Sequence, residues 1–130
     1  GVLENIALVE RAGACAIAHS DSEAVMQRMN QEIAKAMAAG NRIGLDISRA
    51  EAIRWITSNP ARAMRIDDKV GSLEVGKNAD AVIWTTDPFS VYALAEHVFI
   101  DGSHIYDRSD PFMQPQSDYE LGIVKRGDHQ

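Results

Sequence analysis

An α/β fold follows from three features of the sequence. Residues 14–19 form a short apolar run between helical patterns. Met26, Met29, Ile33 and Met37 recur at three- and four-residue spacing. Beyond residue 70 the apolar period changes from that of helices to that of strands. The order helix, strand, helix, helix, then strands, belongs to an α/β protein and not to a helical bundle.

Residues 3–12 read as a helix with Leu3, Ile6 and Ala7 on one face, stopped near Gly13. Residues 14–19 are apolar and end in polar residues, as suits a buried strand of a parallel sheet. Ser22 can cap the next helix, whose methionine stripe packs in the core and whose C′ residue is Gly40. Ser48 and Glu51 form a capping box. It opens a helix carrying Ala52, Ile53, Trp55 and Ile56. Asn59 and Pro60 read as N-cap and first residue of a further short helix ending at Met64.

Strands are then predicted over 70–75, 80–85, 96–101 and 104–106. Gly76-Lys77-Asn78 and Gly102-Ser103 supply turns, and Asp87-Pro88 breaks the second strand. The stretch 110–130 holds Pro111, Pro115 and few large apolar residues; it reads as mobile or as wrapped over a neighbour.

The chain has 130 residues, is 45% hydrophobic and 25% charged, and carries a net charge of −6. That size supports one ordinary core. The charge, without any lysine-arginine cluster, argues against nucleic acid or an anionic membrane surface as partner. The single cysteine, Cys15, excludes an internal disulfide and reads as a small buried hydrophobe. No apolar stretch reaches the length of a membrane span, and no signal peptide is visible. The chain opens on Gly1 rather than methionine, so the latter says nothing about a longer parent.

Chemistry points first to His19 and Asp21. In a strand, residues i and i+2 share a face. These two would stand together at the carboxyl end, where parallel α/β sheets and barrels gather ligands and catalytic groups. A carboxylate there suits a divalent metal or a base for metal-bound water. The alternative is structural: Asp21 and Ser22 cap the following helix, and His19 is a satisfied core residue. His97 and His104 fall on antiparallel strands and can pair across the turn, in a structural or solvent-facing role. His129, in the tail, is uninvolved. A further option is a metal-binding module made of His19, Asp21 and another histidine.

The stretch 57–89, TSNPARAMRIDDKVGSLEVGKNADAVIWTTDPF, resembles the C-terminal signature of the metal-dependent amidohydrolase superfamily. Asn59-Pro60-Ala61, the run from Val70 to Lys77, and Ala79-Asp80 match in order. The later VFIDGSHIYDR, residues 98–108, is similar to the closing hairpin of that region. The likeness is greatest to the imidazolonepropionase-like and Xaa-Pro-dipeptidase-like branches, and it covers residues 1–108.

The resemblance implies the last part of a (β/α)8 TIM barrel, from seventh helix through eighth strand to eighth helical segment. The C-terminal strands of a small β-sandwich follow it. Residues 1–66 would belong to the barrel, 67–108 to the composite sandwich, and 109–130 to a tail. It places Asp21 at the eighth-strand aspartate, as metal ligand and as catalytic base and then acid. It makes His19 an outer hydrogen-bond partner to a ligand or the substrate. Gly71, Gly76 and Asp80 keep structural roles.

The implied cofactor is a divalent metal of zinc type, one or two ions in the parent. The implied reaction is hydrolysis of an amide or cyclic amide C–N bond in a small-molecule or peptide-like substrate. No His-x-His pair and no further barrel strand occur in the chain, so it reads as a C-terminal fragment, inactive alone. The alternative is a non-catalytic structural module. In either case its lone strand has unpaired edges, and self-association or a homo-oligomer is expected. The compartment stays open between cytoplasm and periplasm.

Overall fold

The computed structural model describes residues 2–114. The predicted tail beyond residue 114, with Pro115 and His129, lies outside the described residues. Five helices come first: α1 (Asn5–Arg11), α2 (Glu23–Met26), α3 (Met29–Arg42), α4 (Arg49–Arg54) and α5 (Ser58–Ala63). Three strands follow, β1 (Ala81–Trp84), β2 (Ala95–Ile100) and β3 (Ser103–Asp107), and then a 3-10 turn at Pro111–Met113. The fold is α/β with one small antiparallel sheet in the order β1-β2-β3.

The helices close around Ala7, Ala16, Ile33, Ile47, Ala52 and Trp55. Trp55 and Ile33 are the largest fully buried side chains. The Trp55 indole N–H donates to Glu10 Oε2 at 3.1 Å, so its polar atom stays satisfied. α1 ends at Gly13, whose φ of +81° suits a residue without Cβ. Arg11 then ties α1 to the start of α4: Nη1 reaches Glu51 Oε1 at 2.9 Å, Nε donates to the Leu45 carbonyl at 2.7 Å, and Nη2 donates to the Asp46 carbonyl.

The capping box forms as the sequence predicts. Ser48 Oγ accepts from the Glu51 N–H at 3.2 Å, and Glu51 Oε2 accepts from the Ser48 N–H at 2.8 Å. These bonds, the Ser48 N–H first and its hydroxyl second, with Arg11 added, hold the Glu51 carboxyl at about 2.

Several local expectations give way to tertiary structure. Residues 14–19, predicted as a strand, form none. A parallel strand needs neighbours, and this segment is held instead by two single bonds. Ala18 N–H donates to the Trp55 carbonyl at 2.9 Å, and Asn59 Nδ2 donates to the Ala16 carbonyl at 2.8 Å. Asn59 is therefore a buried tie inside α5, with Thr57 at the N-cap position. Cys15 is exposed rather than buried, its Sγ 3.7 Å from the Asn59 carbonyl.

The helix predicted after Ser22, with its methionine stripe, breaks at Gln27 and Arg28 into α2 and α3, and Met26 is exposed. Gly40 lies inside α3, not beyond it. A Cβ there would stand 2.5 Å from Ala7 Cβ, so its absence allows α1 and α3 to approach. Gly44, at φ +83°, takes the position past the helix end. The strand predicted over 70–75 is replaced by bends and a turn, because Gly71 adopts φ +90° against Ala61 and Ser58.

One segment joins the helices to the sheet. Asn30 Nδ2 donates to the Pro88 carbonyl at 2.7 Å, Arg49 meets Asp87 at 2.8 Å, and Phe89 packs against the helical core. Within the sheet, Ala81, Val82 and Ile83 pair with Phe99, Val98 and His97. On the other side His97 faces Asp107, Val98 faces Tyr106 and Phe99 faces His104. The register shifts between Val98 and Phe99, leaving Ile105 as an extra residue in β3. Asp80 Oδ1 accepts from the Asp101 N–H at 2.9 Å, a bond that steadies the β2–β3 turn from outside.

Candidate functional site

His19 lines an open depression with Leu3, Ile6, Ile17, Val25 and Met29. The two bonds to Ala16 and Ala18 fix the segment that delivers it. Asp21 follows at φ +51°, in the left-handed region that aspartate tolerates better than most residues. Ser20 Oγ donates to the Ser22 carbonyl at 2.9 Å and accepts the Ser22 N–H at 3.3 Å, so a serine turn sets the corner. Ser22 makes no side-chain cap to α2. His19 and Asp21 are both exposed. Because the segment is not a strand, shared facing by the i, i+2 rule does not apply. Asp21 is outside the lining of the depression.

A second cluster assembles on the sheet. His97 Nδ1 and His104 Nε2 are 3.1 Å apart, and Asp107 Oδ2 lies 3.8 Å from His97 Nδ1. One donor atom from each of the three residues lies within 4.8 Å of the others. It is the grouping of metal-capable side chains that the described residues contain, and it includes neither His19 nor Asp21.

Cross-strand pairing of the two histidines is as the sequence predicts. Asp107 is not legible there: His104 and Asp107 are three apart and would face opposite ways on a regular strand. The extra residue Ile105 turns both to the face of His97. His104 stacks on Phe99, centroids 4.7 Å apart and planes 19° apart. Asp107 Oδ1 accepts from Ser109 Oγ at 2.7 Å and from the Ser109 N–H at 2.8 Å. Those two bonds, in that order, and then the histidines hold the Asp107 carboxyl below the usual carboxylate range.

The amidohydrolase family pattern matches residues 4–110. An imidazolonepropionase from Picrophilus torridus is 38% identical over 68 residues, covering 48% of this chain and 17% of its own. Amidohydrolase tasK from Hapsidospora irregularis is 30% identical over 73 residues, 56% of this chain and 7% of its own. The crystal structure of an amidohydrolase from Thermotoga maritima superposes with a TM-score of 0.72 at 29% identity, over 82% of this chain and 26% of that one. The chain thus spans under a third of each of these relatives. The family match nevertheless runs unbroken from the start of α1 to the end of β3, through every helix and strand just described except the closing 3-10 turn, and on that span the chain belongs to the amidohydrolase family.

Proposed function

We propose that this chain is the C-terminal part of a metal-dependent hydrolase that cleaves amide or cyclic amide C–N bonds through an activated water. The observation that carries this reading is the family match over 4–110, joined to similarity with an imidazolonepropionase and with a solved amidohydrolase. In this reading residues 1–66 close a (β/α)8 barrel and 67–108 supply strands to a small sandwich. The exposed Val82 and Ile83 then meet strands from elsewhere in the longer protein.

Asp21 is the residue assigned to chemistry. Its carboxylate takes a proton from the attacking water and returns it to the leaving nitrogen. His19, on the depression beside α2 and α3, orients substrate or a ligand by hydrogen bonding. A divalent ion would lower the pKa of a bound water toward neutral. His19 and Asp21 are two donors, short of the three protein ligands of a catalytic zinc, so this chain alone does not fit that ion.

Two assays test the proposal. In the longer protein, Asp21→Asn should nearly abolish turnover of a cyclic amide while the circular dichroism spectrum is kept; full activity would refute the assignment. The isolated 130 residues should show no zinc-dependent amide hydrolysis. A second reading, a self-associating structural module, is favoured by the exposure of Leu3, Leu8, Val25 and Met26 along the helical side. Light scattering that finds only monomer would remove it.

A further inference from the structure

From the sheet we infer a second, separate metal site: His97, His104 and Asp107 form a three-donor centre for a zinc-type divalent cation. The argument rests on geometry and is independent of Asp21.

Zinc binds nitrogen and oxygen donors at about 2.0–2.2 Å, and a tetrahedron of such bonds has edges of about 3.3 Å. The His97–His104 separation is 3.1 Å and the His97–Asp107 separation is 3.8 Å, on either side of that edge. The third edge, His104 to Asp107, is longer but within 4.8 Å, so an ion can enter once the Asp107 carboxylate turns toward His104. Two neutral imidazoles and one carboxylate give a donor set with one negative charge, suited to borderline dications and poorly suited to calcium or magnesium. Three protein donors leave a fourth position to water.

Each donor is oriented by something other than the metal. His97 is set by the central strand, paired on both sides. His104 is set by its stack on Phe99. Asp107 has one oxygen committed to Ser109, which leaves Oδ2 for the cluster. Such supporting contacts are what fix the ligands of real metal centres. The strongest local argument is the bulge. Were the same residues of β3 laid out as a regular strand, without the bulge at Ile105, Asp107 would point to the opposite face from His104. A plain histidine pair needs no such insertion.

The test is calorimetric titration of the intact 130-residue chain with zinc chloride alone. One zinc per chain at micromolar concentration is expected. His104→Ala and Asp107→Asn should each weaken binding by about tenfold or more, and Ser109→Ala by a smaller factor. Long-range proton–nitrogen spectra of the unmutated chain serve as a check that does not depend on variant folding. The imidazole nitrogens of His97 and His104 should shift with zinc, and those of His19 and His129 should not. Absence of heat at micromolar zinc overturns the inference. So does binding that survives the double variant His97→Ala/His104→Ala, or binding lost through Asp21→Asn alone.

Discussion

Trp55 in the helical region is 0% exposed, whereas Val82 and Ile83 on β1 are 43% and 47% exposed. The two regions are held by different physics. The helices gather around a few completely buried side chains, so their stability comes from packing. The sheet is held by backbone ladders and side-chain pairing, with apolar residues open on both faces. Asp87 to Phe89 is the joint between them, polar on one side through Asn30 and Arg49 and apolar on the other through Phe89. The difference teaches that, in this chain, fold stability and the geometry of the His97–His104–Asp107 cluster are drawn from separate places.

The largest expected effect tests that division directly. Trp55→Ala should destabilise the chain by about 3–5 kcal/mol in urea unfolding. The matching truncation Ile83→Ala should cost only about 1 kcal/mol, since much of its surface is already in water. Equal losses would break the comparison. Next, Gly40→Ala forces α1 and α3 apart and should cost about 1–3 kcal/mol, despite the better helix propensity of alanine. A stabilised variant would show that the helices have room to separate.

Smaller still, Asn30→Ala removes the bond to Pro88 and should cost about 1–2 kcal/mol. Hydrogen exchange should then speed up around residues 87–89 while α4 keeps its protection. The smallest effect is on pH. Glu51 has a folded value of about 2 against an ordinary 4.5. Its stabilising contribution is therefore complete above 4.5 and is lost as pH falls toward 2. Glu51→Gln should lower stability at neutral pH and flatten the profile across that window, leaving the value near pH 2 little changed. An unaltered acid limb would show that the capping box is not the titrating element.

What was legible in the sequence was local. The capping box needs residues three apart and nothing else, and Ser48 and Glu51 form it. The strands around Val82, Val98 and Ile105 follow β-forming side chains, and each boundary lies within a residue or two of expectation. What was not legible depends on partners far along the chain. Residues 14–19 have strand composition but, among the described residues, no neighbouring strand to pair with. Gly40 looks like a helix end until Ala7 is placed against it. Asn59 looks like a cap until Ala16 claims its amide. At the candidate sites, His19 and Asp21 were singled out from the sequence, whereas Asp107 could not be, because nothing in the spacing of β3 announces its bulge.

Ile105 acts on its strand much as a dislocation acts on a crystal row. One surplus unit leaves the spacing elsewhere intact yet reverses the parity of everything beyond it. Tyr106 is thereby assigned to the side of Val98, and Asp107 to the side of the histidines. The chemical character of that face is thus governed by a count and not by a composition. Straightening the bulge, with no residue changed, would turn Asp107 to the other face while leaving every side chain of the cluster in the sequence.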